Sequence, residues 1–222
     1  FKLATVLAHK QFSPEAGDQS GQGAQGLSCY QPNHYDEDVV ENLIVSRDGK
    51  FGLISGVDGR WLISPTYDLL EKRTCQMLKT YKGEQQGLST VWGHELVPAE
   101  FDKALYFGFE QFFAVQKDEL WGVFDARTQE LVIPIELQAI DYCAGCDIKP
   151  KYFYAKKGDQ WGLLDFRGNA VLPFEYEFSR HQNMRSDLWV TNLLKAGDPL
   201  LIHLDTGAHY SLNEFEDVVL LS

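Results

Sequence analysis

The sequence predicts an all-β fold of about five small meander units set in a propeller-like array, with a twisted β-solenoid as the alternative. Three observations predict it. The first is a repeated phrase: an aromatic or apolar residue, a Gly, a short apolar run, a turn, then a second apolar run ending in Pro, followed by Tyr or Phe and an acid. It stands at Phe51-Gly52 to Pro65-Thr66-Tyr67-Asp68, at Gly87 to Pro98-Ala99-Glu100-Phe101-Asp102, at Trp121-Gly122 to Pro134, and at Trp161-Gly162 to Pro173-Phe174-Glu175-Tyr176-Glu177. A worn fifth copy runs from Leu200 to Leu212-Asn213-Glu214-Phe215-Glu216, and an orphan closing phrase, Pro32-Asn33-His34-Tyr35-Asp36, precedes the first. The second observation is the period, since the four glycines follow one another at 35, 35 and 40 residues. The third is the turn chemistry between the two apolar runs: Asp58-Gly59, Arg167-Gly168-Asn169 and Asp205-Thr206-Gly207 place Gly or Asn where a tight hairpin needs positive φ.

Taken in order, residues 1–8 read as a strand that can pair with 217–221 to join the two ends of the array. Residues 11–31 are rich in Gly, Gln and Ser and read as a mobile loop. Residues 1–31 thus form an N-terminal strand and loop of the same domain as the repeats at 32–222. Within a unit, 39–46, 112–116 and 188–192 are rich in β-branched and aromatic residues and read as first strands. The Gly run, as in Gly122-Val123-Phe124, reads as the second strand, Leu131-Val132-Ile133 as the third, and the Tyr/Phe-acid phrase as the start of a fourth. The Gly-to-Pro distance is nearly fixed, at 13, 11, 12 and 11 residues, whereas the distance from Pro to the next Gly drifts through 22, 24 and 28. Insertions therefore collect at 71–78, 103–110, 138–151 and 179–187, and variable segments at one point of each unit fall on one face, where a partner is met.

Composition bounds the function. Hydrophobic residues make up 44% of the 222, and five Trp, ten Tyr and fourteen Phe provide a core. A net charge of −12 disfavours nucleic acid, whose phosphates require clustered Lys and Arg, and suits a basic protein partner. No apolar run approaches the roughly 20 residues of a membrane-spanning helix, which predicts no membrane insertion. Cys29, Cys75, Cys143 and Cys146 are too sparse for a disulfide scaffold, and the cytoplasm is the expected compartment.

The Trp-Gly pairs at 121–122 and 161–162, with the Pro-x-x-Tyr-x ending at 173–177, resemble the WG (also KWG) repeat family of bacterial proteins. The resemblance covers most of residues 32–222; Phe51, Gln86 and Leu200 stand where the first, second and fifth copies lack the Trp. It implies an all-β repeat architecture and a role in recognition, including an association of some members with bacterial toxin systems, and it names no ligand. Trp beside Gly is expected to be a packing device, the ring supplying apolar area to a shared core seam and the Gly admitting a neighbouring backbone or ring.

Motifs that suggest chemistry have simpler readings. Gly21-Gln22-Gly23-Ala24-Gln25-Gly26 spells a dinucleotide fingerprint but neither follows a strand directly nor opens a helix. Cys143-Ala144-Gly145-Cys146 lacks a second ligand pair for zinc and reads as a tight turn. Asp125, Asp165 and Asp205 recur before the hairpin turn, with Ser55 and Thr90 in the other units; a side-chain oxygen that closes a turn accounts for all five. His203 and His209 read as structural. No catalytic residue, metal or cofactor is expected.

Two features depart from the repeat and are expected to contact a partner. Trp92 takes the tip of the second hairpin, where the other units carry Arg127 and Arg167, and the aromatic run Tyr106, Phe107 and Phe109 lies in a variable segment. Acids cluster at Asp36, Glu37 and Asp38 and again at Glu214, Glu216 and Asp217, a patch suited to a basic protein. The expected function is non-catalytic protein binding, in the form of an acidic immunity-type inhibitor of a basic bacterial toxin. The alternatives are a carbohydrate or cell-wall binding module that stacks ligand on Trp92 and Tyr106, and a hydrolase on a propeller scaffold.

Overall fold

The computed structural model describes residues 42–74, 76–106, 111–141, 151–178, 189–190 and 193–215. They form nineteen antiparallel strands and one 3-10 turn, and contain no helix long and apolar enough to cross a membrane. The first sheet is β1 (Leu43–Arg47), β2 (Lys50–Ile54) and β3 (Trp61–Tyr67); the second is β4 (Leu69–Lys72), β5 (Met77–Lys82), β6 (Gln85–Thr90) and β7 (Glu95–Phe101). The third is β8 (Lys103–Tyr106), β9 (Phe112–Lys117), β10 (Leu120–Asp125) and β11 (Glu130–Leu137); the fourth is β12 (Ala139–Asp141), β13 (Tyr152–Lys157), β14 (Gln160–Asp165) and β15 (Ala170–Phe178). A fifth group follows: β16 (Trp189–Val190) and β17 (Leu193–Lys195) both pair with β18 (Asp198–His203), β19 (His209–Ser211) pairs with its other edge, and a 3-10 turn spans Leu212–Glu214.

The repeated phrase is explained by the pairing of the Gly strand with the Pro strand. Trp121 faces Leu137 and Val123 faces Ile133, so the single residue Gly122 lies opposite three, Pro134-Ile135-Glu136. The same two-residue surplus lies opposite Gly52, Gly87 and Gly162. The bulged backbone folds onto the Gly: a Cβ on Gly87 would sit 2.5 Å from the Val97 carbonyl oxygen, on Gly52 2.6 Å from that of Ile63, on Gly122 2.7 Å from that of Ile133, and on Gly162 2.9 Å from that of Leu172. Real side chains do not reach such distances, so the position is closed to every residue but Gly. Pro belongs in the bulge because a bulged residue has no ladder bond for it to break.

The closing phrase carries the chain from one sheet to the next. It is not a separate fourth strand, as the residues suggested: Tyr67, Phe101 and Leu137 end the Pro strand, and the polar residue after each turns straight into the first strand of the following sheet. Of the strands read from sequence as first, 112–116 is therefore the second of four, whereas the described part of 39–46 is β1, at the edge of its three-stranded sheet. At these three crossings the N–H of the polar residue donates to the second strand of the new sheet, Asp68 to Tyr81, Asp102 to Gln116 and Gln138 to Lys156. Its side chain accepts, at 2.8 Å, the leading N–H of that sheet's tight turn: Gly83 to Asp68, Asp118 to Asp102 and Gly158 to Gln138. Basic residues at the ends of second strands reach back over the preceding closing phrase. Lys82 lies 5.2 Å from the centroid of the Tyr67 ring, and Lys195 lies 5.9 Å from that of Tyr176 while pairing with Glu175.

Apolar clusters fill the spaces between successive sheets. Tyr67, Leu70 and Ala99 join the first and second; Leu88, Val97, Phe101, Phe113, Val115 and Phe124 the second and third. Phe112, Val123, Ile133, Phe153, Leu164 and Phe166 join the third and fourth, and Leu163, Leu172, Tyr176, Leu193 and Ile202 the fourth and fifth. Consecutive residues of β9 point into different clusters, so the third sheet is buried on both faces. The seams are made of aliphatic, Phe and Tyr side chains, with the indoles outside the buried sets. Trp121 and Trp161 are half-buried at the margins of equivalent seams, the former under Lys103 and the latter stacked on Phe178 at 4.4 Å.

The residue opposite each bulged Gly is buried and is Val45, Thr80, Val115 or Ala155. Thr80 alone carries a hydroxyl there, fully buried and without a hydrogen-bond partner. Burying an unpaired hydroxyl costs about 1–3 kcal/mol, and Val has the same shape without it. Thr80→Val is accordingly expected to raise the unfolding free energy by about 1 kcal/mol in urea titration.

Candidate functional site

A four-stranded meander places its first-to-second and third-to-fourth connections at one end and its second-to-third turns at the other. The tight turns therefore share one end with the sheet-to-sheet crossings. At the opposite, hairpin end β4, β8 and β12 finish and β5, β9 and β13 begin, and the spacing between these strands lengthens from unit to unit. The segments expected to be loops are thus narrower than the sequence suggested, because their leading residues are the strands β4, β8 and β12.

Each hairpin between third and fourth strands is closed by one side-chain acceptor, in keeping with the turn reading of the recurring acids. Ser55 Oγ accepts from the N–H groups of Val57 and Asp58, and Thr90 Oγ1 from that of His94. Asp125 accepts from the N–H of Arg127, and Asp165 from those of Arg167 and Asn169 and from the Asn169 amide. In the fifth unit the position belongs to His203, whose Nδ1 accepts from the Thr206 N–H, and not to Asp205; the His203 N–H bonds to the Ala208 carbonyl as the Asp165 N–H bonds to that of Asn169. Burial works to raise the Asp165 carboxyl, but the hydrogen bonds of Asn169 and of the Arg167 N–H outweigh it and hold it below the ordinary carboxylate range.

The residue after the acceptor pins the hairpin to the core. Phe166 is buried between Phe112 and Phe153, stacked on the former at 5.8 Å. The hairpins also lean on the preceding sheet. Gly168, at φ +88°, abuts Ile133, and Gly93, at φ +90°, lies so close to Leu62 that a Cβ would meet its carbonyl oxygen at 2.6 Å. The second hairpin is braced further: the Val91 N–H donates to the Gln76 carbonyl, and the Val91 carbonyl accepts from Asn42 Nδ2 at 2.8 Å. Asn42 Oδ1 in turn accepts from the Gly56 N–H of the first hairpin.

Trp92 stands between these braces with 55% of its surface exposed. It has company. Val57, Leu131, Val171 and Tyr210 are exposed too, and each lies in or just after the hairpin of its own unit, so every unit presents one exposed apolar group at this end. Tyr210 packs edge-to-face on Phe215, which is also exposed. None of these four companions stands out in the sequence, since each reads as an ordinary strand or turn residue.

The other residues singled out from the sequence are placed as follows. Tyr106 is half-buried against Phe113 at 5.6 Å and packs on the cluster between the second and third sheets, while Glu214 is exposed in the 3-10 turn. Phe107, Phe109, Asp36, Glu37, Asp38, Glu216 and Asp217 lie outside the described residues, as do residues 1–41 and the Cys143-Cys146 pair. Among the described residues no group of three or more His, Cys, Asp or Glu is placed to hold a metal ion.

Comparison with known proteins adds one decisive match: the sequence from 93 to 121 fits the profile of the WG containing repeat. This stretch resembles a WG repeat. The matched stretch starts at Gly93 in the second hairpin and ends at Trp121 in the third sheet, so the WG repeat straddles the crossing between two sheets. No curated protein matches the sequence. Among solved structures, the chain is similar to "Crystal structure of the eukaryotic initiation factor", at 10% identity and a TM-score of 0.40 over 78% of this chain and 49% of that one. It is also similar to Kluyveromyces lactis Hsv2, at 11% identity and a TM-score of 0.27 over 77% and 59%. The chain thus spans about half to three fifths of these structures, and likenesses so slight do not bear on function.

Removing the Asp165 acceptor by Asp165→Ala should cost about 1–2 kcal/mol in unfolding free energy at neutral pH. Because the folded carboxyl is held below its unfolded value, its contribution is complete above about pH 4 and fades as pH falls through the lowered folded value. The gap between wild type and variant, measured by urea titration at a series of pH values, should therefore shrink below about pH 4.

Proposed function

We propose that this chain is a non-catalytic protein-binding module that docks its partner on the hairpin end. The observation that carries the proposal is Trp92, an exposed indole on a turn fixed by Asn42, Gln76 and Leu62. A large aromatic held rigid before binding loses little conformational freedom on contact, the property that makes Trp a frequent hot-spot residue. Val57, Leu131, Val171 and Tyr210 extend the apolar contact beyond the indole. The exposed Arg127 and Arg167 at the neighbouring tips supply polar anchors.

The partner is a protein of basic net charge, drawn in over distance by the twelve negative charges of the chain and anchored locally by the aromatic and arginine groups. In its specific form this is an acidic cytoplasmic immunity-type protein that covers the active site of a basic bacterial toxin. Affinity capture from the native host at low and high salt, with wild type and Trp92→Ala, tests it. A basic protein should be retained at low salt with an on-rate that falls steeply as salt rises, and Trp92→Ala should weaken it by about 2 kcal/mol, roughly thirtyfold. Retention of no protein at low salt, or equal binding by the variant, would overturn the proposal; a salt-indifferent carbohydrate ligand would overturn it in favour of a sugar-binding module.

A further inference from the structure

On the strand that precedes each Gly strand, the residue just before the one opposite the Gly is Ile44, Lys79, Ala114 or Tyr154, facing Leu53, Leu88, Val123 and Leu163 in turn. Ile44, Ala114 and Tyr154 pack in or against the apolar clusters between sheets. Lys79 breaks the series, a half-buried cation where the other sheets place apolar or aromatic groups. Its cross-strand neighbour breaks it too, since Glu71 stands opposite Lys79 where the third sheet sets Leu105 opposite Ala114. Two departures from the repeat at facing positions point to a local task and not to the packing that the repeat serves.

Glu71 does not discharge the lysine opposite it. Its Oε1 accepts from Arg73 Nη1 at 3.2 Å and its Oε2 from the Tyr81 hydroxyl at 3.1 Å, so both oxygens are engaged elsewhere. The Lys79 ammonium lies 5.8 Å from the centroid of the Tyr81 ring and makes no hydrogen bond or ion pair with a described residue. A third cation, Lys103, follows the crossing into the third sheet and is exposed. Burial, then the charge of Arg73, push the Lys79 ammonium below the ordinary lysine range; Glu71 works against them and Lys103 with them. Three cations and one carboxylate leave two positive charges in surplus here, in a chain whose net charge is −12. Like charges gathered at a half-buried position destabilise one another, and a bound anion removes that repulsion.

We propose that Lys79, Arg73 and Lys103 form a binding site for a phosphate group, either inorganic phosphate or the phosphate of a small monoester. A phosphate near neutral pH carries up to two negative charges, which match the surplus; a carboxylate matches only half of it. Lys79 supplies a point charge with three donors, and Arg73 supplies the N–H groups of its fork that Glu71 leaves free. Glu71 and Tyr81 are positioning residues: the Tyr81 hydroxyl holds the carboxylate, and the carboxylate holds the guanidinium. Lys103 adds charge from the next sheet, so the site straddles the boundary between the second and third sheets. The site does not depend on what docks at Trp92.

Calorimetric titration of the full chain with sodium phosphate at low ionic strength tests the proposal, at about pH 7.5 where the dianion predominates. Acetate and O-phosphoserine are titrated in parallel. Phosphate should saturate one site, and Lys79→Met and Arg73→Gln should each weaken it at least about tenfold, the loss expected for one charge-assisted hydrogen bond. Lys79→Met places an unbranched apolar side chain where other sheets carry Ile44, Ala114 and Tyr154, so the fold should be kept. Lys72→Met removes the same charge from the other face of β4 and should change the affinity less than about twofold. Trp92→Ala should leave phosphate binding unchanged. Tighter binding of O-phosphoserine than of phosphate assigns the site to a monoester and weaker binding to the free anion, and both support the proposal. It is overturned if phosphate shows no saturable binding, if acetate binds as tightly, if Lys79→Met binds like wild type, or if Lys72→Met loses as much as Lys79→Met.

Discussion

Everything regular in this chain depends on the contact of a bulged Pro strand with a glycine on its neighbour. Four times the backbone around Ile63, Val97, Ile133 or Leu172 folds down onto a residue that has no room for a Cβ. The bulge shortens the Pro strand against its partner, increases its local twist and aims its end away from its own sheet. That redirection lets one strand finish a sheet and begin the next, with a polar crossing residue closing the following tight turn. Successive sheets then pack face to face, and the clusters between them hold most of the buried hydrophobic residues among those described.

The same geometry separates the two ends of the array. Crossings and tight turns occupy one end, where the hydrogen bonds of Asp68, Asp102 and Gln138 leave little freedom for the chain to vary. The hairpin end is held at its roots, by the turn acceptors and by Phe166, Ala126 and Val91, but its tips bear no part of the crossing. Insertions and exposed apolar groups are tolerated there because neither disturbs the bulge. The binding surface proposed above lies on the hairpins for this reason.

The architecture was legible in the sequence because its main constraint is steric and selects residue types. Only Gly fits under the bulge and Pro is favoured within it, so both recur at fixed spacing even where Gln86 replaces the Trp. The sheet boundaries were not legible, because the residue types alternate through Tyr67-Asp68-Leu69 as in one strand, although Asp68 and Leu69 both lie exposed at the crossing. Nor could the partners of the crossing residues be read, since they are backbone N–H groups 15 to 20 residues away and carry no side-chain signature. The fifth turn misled for a related reason: the equivalence of His203 with Asp165 rests on backbone bonding, while the eye follows the Asp205 letter. At the hairpin end the exposure of Trp92 was readable from its break with Arg127 and Arg167, but Val57, Leu131, Val171 and Tyr210 became a set only once the units were placed in register.

The central claim is tested most directly by the unfolding free energies of four single variants, Gly52→Ala, Gly87→Ala, Gly122→Ala and Gly162→Ala, set against Gly158→Ala in a tight turn. The bulge account predicts a loss of about 2–3 kcal/mol at each of the four, because the new methyl must displace backbone. Gly158 has open space around it and only a positive φ to lose, so about 1 kcal/mol is expected there. Losses at the four glycines no larger than at Gly158 would contradict the account.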